Sequence, residues 1–158
     1  MKQESILSSI NPTIPIILAS GSESRKIMLE DAGIKFDVIT SHVDEDILKE
    51  AISSQPFEKQ VIALAAAKAL TVSEQYPSHI VIGGDQMCVL ENKLFDKPGS
   101  PEKAIENLKQ LSGKEHFQHS GICIFKGGKS LWEYSERVSL KMHDLSEEEI
   151  VNYVRLEN

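Results

Sequence analysis

At 158 residues and 17.6 kDa the chain can bury a sizeable core, and 41% hydrophobic with 26% charged residues are the proportions of a soluble globular protein. No apolar run approaches the roughly 20 residues of a membrane span, so no membrane partner is expected. A net charge of −7 and a pI of about 5.2 speak against a nucleic-acid polymer, which calls for a basic face; a single nucleotide needs only a few local cations and stays open.

The opening MKQESILSSINPT has no long apolar stretch and no small-residue cleavage site, so residues 1–13 read as an N-terminal extension rather than a secretory signal. Residues 14–19 read as a buried strand. Ser20, Gly21, Ser22 and Ser24 stand between it and a helix over 22–32, which Gly33 ends. Small hydroxyls and glycine between a strand and a helix start let backbone amides approach an anion. The alternative is an ordinary strand–turn–helix connection with Ser22 as N-cap. FDVITS, residues 36–41, predicts a second strand with Phe36, Val38 and Thr40 on one side. An acidic stretch follows at 42–46, HVDED, and then a long alanine-rich helix over 57–75 with Val61, Leu64, Ala65 and Val72 on its stripe.

HIVIGGD, residues 79–85, reads as a strand ending at Asp85, and MCVLENKLFDKP as a hairpin turning at Glu91, Asn92 and Lys93. Ser100 and Pro101 start a helix with Ala104, Ile105, Leu108 and Leu111 on its stripe and Gly113 at its end. HFQHSGICIF and SLWEYSERVSLKM are two strands joined at Gly127-Gly128. Ser146 and Glu149 form a capping box before Ile150, Tyr153 and Val154. Strands alternate with helices, so the class is α/β with some antiparallel hairpin content, without repeats or a domain boundary. Cys88 and Cys123 stand alone in apolar segments and read as buried reduced thiols of a cytoplasmic protein; a disulfide stays open.

Several residues could carry chemistry. Asp85, behind two glycines, is either a ligand-lining carboxylate at a strand end or a turn aspartate. Lys68 lies on the apolar stripe of its helix, so it must snorkel out or meet an anion. Lys97, before Pro98 and Gly99, is a cation on a constrained loop or an ordinary surface lysine. The 42–46 carboxylates are a metal-side cluster or a solvated loop. GGKS at 127–130 matches the end of a P-loop, but Cys123 stands where that motif needs its first glycine, and a strand follows. His42, His79, His116, His119 and His143 form no helical ligand pair, so no zinc site is expected. A serine-rich loop with Arg25, two lysines and two carboxylate sources together suit phosphoryl chemistry: cations and amides neutralise phosphate oxygens, and carboxylates hold a metal or orient water.

These motifs, in this order, resemble the Maf family of nucleoside triphosphate pyrophosphatases. The family's L-A-S-x-S-P-R-R-x-x-L-L opening is similar to Leu18-Ala19-Ser20-Gly21-Ser22 continuing through Arg25, Met28 and Leu29. D-E stands at Asp44-Glu45, an A-x-x-K-A helix at Lys68, a V-I-G-x-D strand at Asp85, K-P at Lys97-Pro98 and L-S-G-K-x-H at 111–116. The resemblance implies an α/β fold of the Maf and inosine-triphosphatase-like group, a single domain over 14–158 with a mixed sheet, flanking helices and a nucleotide cleft. It implies metal-dependent cleavage (Mg²⁺ or Mn²⁺) of a nucleoside triphosphate to monophosphate and pyrophosphate. Carried over by position, Asp85 is the general base, and Glu45 and Asp85 are the metal-side carboxylates. Lys68 and Lys97 join them in the catalytic set and, with Ser20, Ser22 and Arg25, hold the triphosphate.

The chain departs from the pattern at three places. Glu23 replaces the usual proline, and Ser24 occupies a position linked to base choice. Gln86 follows the aspartate as in the branch that prefers 7-methyl-GTP, where threonine marks the branch preferring dTTP and UTP. Family members also continue beyond YVRLEN, so the resemblance implies that the C-terminal part of the family domain is missing, leaving an exposed edge and a homodimer open. The family's association with septum formation supplies the alternative function, a nucleotide-binding regulator of cell division with little turnover.

Overall fold

The computed structural model describes residues 12–157, so residues 1–11 of the expected N-terminal extension lie outside the described residues. Among the described residues eleven elements follow in chain order: β1 (Ile16–Leu18), α1 (Glu23–Asp31), β2 (Asp37–Val38), α2 (Glu45–Ile52), α3 (Phe57–Gln75), β3 (Ile80–Leu90), β4 (Lys93–Phe95), α4 (Pro101–Leu111), β5 (Glu115–Lys126), β6 (Lys129–Lys141) and α5 (Glu147–Leu156). Strand order is β2-β1-β3-β5-β6, with β4 also paired to β3. Pairing is parallel for β1 with β2 and β3, and antiparallel for β3 with β4, so the sheet is mixed and the class is the α/β expected.

Two compact units share these strands, the boundaries falling inside β3, β5 and β6. The first holds the chain up to Asp85 together with Gly121–Ser135. Its core is Ile17, Ala19, Ala65, Ala69, Val72, Val81, Cys123 and Phe125, with Ile39 and Ala66 packed against it. Helix α3 spans the predicted residues and buries the predicted stripe, with Lys68 on it. No side chain caps its N-terminus at Pro56. A missing cap forgoes about 1 kcal/mol, whereas Val61, Leu64 and Val72 are fully buried at about 1.5–3 kcal/mol each, so packing rather than capping holds this helix.

The second unit holds Gln86–Ser120 and the chain from Glu136 on. There β3 turns into β4 through Glu91 and Asn92 at φ 50° and 63°, with Leu90 facing Lys93, a two-residue loop of the type that matches strand twist. Lys93 therefore belongs to β4 rather than to the turn. Ser100 caps α4 by accepting from Lys103 N at 3.2 Å, and Ser146 caps α5 by accepting from Glu149 N at 3.2 Å. Lys109 of α4 reaches Glu147 of α5 at 2.8 Å, which holds the Glu147 carboxyl below the usual carboxylate range.

Three points differ. Residues 45–52 form a helix to which the sequence reading assigned no element, and the acidic stretch at 42–46 runs into its first turn. Asp44 Oδ1 accepts from Ile47 N at 3.1 Å as the N-cap, and Glu45 and Asp46 occupy the first turn, where carboxylates meet the positive end of the helix dipole. Strand β2 is only Asp37–Val38, and Val38 and Thr40 are exposed while Ile39 packs on the core. In an extended segment one residue of offset exchanges the faces, and the Ile39 N to Leu18 O bond sets this one. Finally, β3 runs unbroken through Gly83, Gly84 and Asp85, so Asp85 lies in mid-strand and does not end it.

Candidate active site

Lys68 is held by α3, Asp85 by β3 and Glu45 by the first turn of α2. The Lys68 ammonium lies 2.7 Å from Glu45 Oε1 and 2.9 Å from Asp85 Oδ1. Lys68 and Asp85 are 9% and 8% exposed, so an unpaired charge at either would be costly, and each supplies the other's counter-charge. Of the two fates open to a lysine on an apolar stripe, this one meets anions. Glu45 is the half-exposed member of the three, so the cluster is buried at one side and open at the other. Two carboxylates on one ammonium can accept a proton from water, or exchange part of their contact with the lysine for a cation.

The two glycines before Asp85 have separate tasks. A methyl group at Gly83 would collide with the Ala65 carbonyl and come within 2.9 Å of both Ala69 Cβ and Cys123 Sγ, so Gly83 lets β3 lie close against α3. A methyl group at Gly84 would come within 2.9 Å of Arg25 Nε, so Gly84 makes room for the Arg25 side chain crossing the strand. Strand alternation then turns Asp85 to the same side as Gly83, toward α3 and Lys68.

The serine loop is built from local hydrogen bonds. Ser20 is buried, and its Oγ accepts from Ser22 N at 3.2 Å and from Arg25 Nη1 at 3.0 Å. Ser22 Oγ accepts from Arg25 N at 3.4 Å as the α1 N-cap. The N-cap alternative is therefore met, and it coexists with an arginine folded back over the loop. Ser24 is exposed on the first turn of α1. The structure thus gathers Glu45, Lys68 and Asp85 into one cluster, and Ser20, Ser22 and Arg25 into a second. Gln86 and Lys97 belong to the second unit, where both are exposed, Gln86 on β3 and Lys97 on the loop after β4.

Among the described residues no three histidine, cysteine or acidic side chains group as metal ligands. Magnesium is commonly held by one or two carboxylates with substrate phosphates and water completing its shell, and the Glu45–Asp85 pair fits that donor set. Both cysteines are free. Burial pushes the Cys123 thiol up to about 12, against a weak bond to the Gly83 carbonyl and with a smaller push from Glu133. Half-buried Cys88 is also raised by burial, against a hydrogen bond with Gln118. The role of α2 in presenting Glu45 is what sequence reading missed; Asp44 three residues before Ile47, with Leu48 and Ile52 at helical spacing, was the available signal.

Residues 15–158 match the family model described as Maf-like protein. A nucleoside triphosphate pyrophosphatase of Legionella pneumophila (strain Lens) is 41% identical over 143 residues, which are 90% of this chain and 72% of that protein. One of Pelagibacter ubique (strain HTCC1062) is 39% identical over 142 residues, 89% of this chain and 73% of that protein. Among solved structures, a HAM1 protein from Coxiella burnetii aligns with a TM-score of 0.46 at 16% identity, covering 81% of this chain and 71% of that one. A family match over residues 15–158 and relatives near 40% identity over most of the chain lead to one conclusion: this chain belongs to the Maf-like protein family.

Proposed function

We propose that this chain hydrolyses nucleoside triphosphates between the α- and β-phosphates, releasing nucleoside monophosphate and pyrophosphate. The observation that carries the reading is the Glu45–Lys68–Asp85 cluster, in a chain whose relatives bear the name nucleoside triphosphate pyrophosphatase. Asp85 accepts the proton of a water whose oxygen bonds to the α-phosphorus as the bond to the bridging oxygen breaks and pyrophosphate leaves. Lys68, already 2.9 Å from Asp85 Oδ1, orients that carboxylate and offers its charge to phosphate oxygens. Arg25, anchored on Ser20, is the second cation for the phosphates, and Lys97 is assigned to the same task. Ser22 serves through the helix start that it caps.

A divalent cation of the Mg²⁺ or Mn²⁺ class, when bound, neutralises phosphate charge, and Glu45 and Asp85 are the residues that would hold it. For the base, Ser24 and Gln86 are the selecting positions. Exposed Gln86 offers both a donor and an acceptor, which suits a purine edge and a modified purine triphosphate such as 7-methyl-GTP over dTTP. The chain is read as cytoplasmic and without a nucleic-acid polymer as partner, in keeping with its charge of −7 and two free thiols. No helix among the described residues is long and apolar enough to cross a membrane.

The test is pyrophosphate release over a panel of canonical and methylated triphosphates, with Mg²⁺, with Mn²⁺ and with excess EDTA. Monophosphate with pyrophosphate is the expected product pair, and turnover should stop in EDTA. Diphosphate with orthophosphate as first products would overturn the reaction, undiminished turnover in EDTA would remove the metal, and a preference for dTTP would remove Gln86 as selector.

A further inference from the structure

Helix α2 is short and thinly anchored. Its eight residues are fewer than a helix needs to stand alone in water, its buried side chain is Ile52, and Ile47 is 67% exposed. No side-chain cap at Pro56 closes the corner that joins it to α3. The corner is closed instead from within α3. Gln60, 4% exposed, turns its amide back toward α2, and Nε2 donates to Gln55 O at 2.7 Å and to Ser53 O at 3.5 Å. An amide nitrogen carries two hydrogens, so one side chain can serve both carbonyls. Ser53 is the C-cap of α2, where carbonyls lack helical partners and the helix dipole is negative. At the other end of α2, Glu45 Oε1 lies 2.7 Å from the Lys68 ammonium.

We propose that Gln60 is a positioning residue for Glu45: it fixes the register at which α2 lies on α3 and so sets Glu45 on the Lys68 ammonium. The two contacts run α2 antiparallel to α3, with Glu45 at Lys68 and Ser53 at Gln60. Glu45 to Ser53 and Gln60 to Lys68 are equal steps along the chain, each about 12 Å of helix axis, so the two contacts match in span. Sliding α2 by one turn, about 5.4 Å, would break both at once. Apolar packing through Ile52 is non-directional and leaves such a shift cheap, whereas hydrogen bonds to fixed carbonyls do not. Ile52 and the Gln60 clamp act at the same end of α2, and Glu45 is carried at the other. Gln60 therefore acts through α2, about two turns of α3 away from Lys68. The effect on turnover rests on the proposed pyrophosphatase reading; the effect on the Glu45–Lys68 ion pair does not.

Three variants of the whole chain separate reach from donor. Gln60→Met keeps the shape and removes the donor, and Gln60→Asn keeps the donor but falls one methylene short. Gln60→Lys keeps a donor of full reach, with a charge that suits the negative end of α2. The first readout needs no turnover: the proton–nitrogen signal of the Lys68 ammonium, assigned by its absence in Lys68→Arg. Glu45→Gln should move this signal and speed its exchange with water. Gln60→Met and Gln60→Asn should move it the same way, and Gln60→Lys should return it; Gln60→Asn is the milder break, so an unfolded Gln60→Met leaves the test standing. The second readout is pyrophosphate release at a temperature where the variants are folded. Gln60→Met should lower kcat by about 10–100-fold, the range for groups that orient a ligating residue from behind, and Gln60→Lys should recover it. In a Glu45→Gln background the same change should add little further loss, because its route to the site is already gone. A Lys68 signal unmoved by either break overturns the proposal, as does an equal fold loss in both backgrounds or a Gln60→Lys chain that stays like Gln60→Met. A parent chain that releases no pyrophosphate would overturn the proposed function alone, since the Lys68 signal still reads where Glu45 sits.

Discussion

Lys68 is the residue on which the cluster turns. A buried lysine is stable only where its charge is answered, and here Glu45 and Asp85 answer it from separate elements at 2.7 and 2.9 Å. Asp85→Asn should therefore keep the fold, since Lys68 retains Glu45. If Asp85 is the base, the same change should lower the rate of pyrophosphate release by about 10²–10⁴-fold. A variant within a few-fold of the parent, with an unchanged melting curve, would return Asp85 to a structural role. Lys68→Ala acts on both axes. It leaves the buried Asp85 without its cation, at a stability cost of up to about 3–5 kcal/mol, the range for breaking a buried pair. It should also raise KM for the triphosphate more than it lowers kcat, and denaturant unfolding with steady-state kinetics separates the two effects. The chemistry-bearing residue types were legible in the sequence. Their shared position was not, because Glu45 and Lys68 stand 23 residues apart and meet only when α2 packs on α3.

At the scale of elements, β3 illustrates how local signals mislead. Two adjacent glycines read as the end of a strand, yet each is there because another group approaches the backbone, and the ladder continues to Leu90. The two positions should respond differently to one added methyl group. Gly83→Ala meets the Ala65 carbonyl, Ala69 and Cys123, all fixed in the core, so it should destabilise by about 1–3 kcal/mol or more in denaturant melts. Gly84→Ala meets the flexible end of Arg25, which can move aside, so stability should change little while triphosphate affinity falls. Equal melting midpoints for the two variants would show that β3 does not lie against α3 as described. Helix α2 escaped the sequence reading for a related reason. Its eight residues are too few to announce a period among acidic neighbours, and the Asp44 cap and the packing against α3 complete it.

For the whole molecule, the thiol beneath Gly83 links core packing to pH. Cys123 is fully buried, and burial raises it from an ordinary 9.0 to about 12. The folded state then keeps its proton where the unfolded chain has lost it. The resulting stability is fully present below pH 9.0 and is lost as pH rises from there towards about 12. Urea unfolding across that window should show a loss of stability that Cys123→Ala makes shallower, and identical slopes in both proteins would contradict a desolvated thiol. The same contrast between local and non-local information runs through the molecule. Composition, apolar periodicity, caps and turn glycines by themselves determined the α/β class, the span of α3, the starts of α4 and α5 and the β5–β6 turn, because each of those signals acts within a few residues. Only the tertiary structure decided that Asp85 sits in mid-strand, that Ile39 rather than Val38 faces the core, and that Glu45 and Asp85 converge on the Lys68 ammonium. Those outcomes depend on strand register and helix packing, which join residues far apart in the chain and leave no mark on their immediate neighbours.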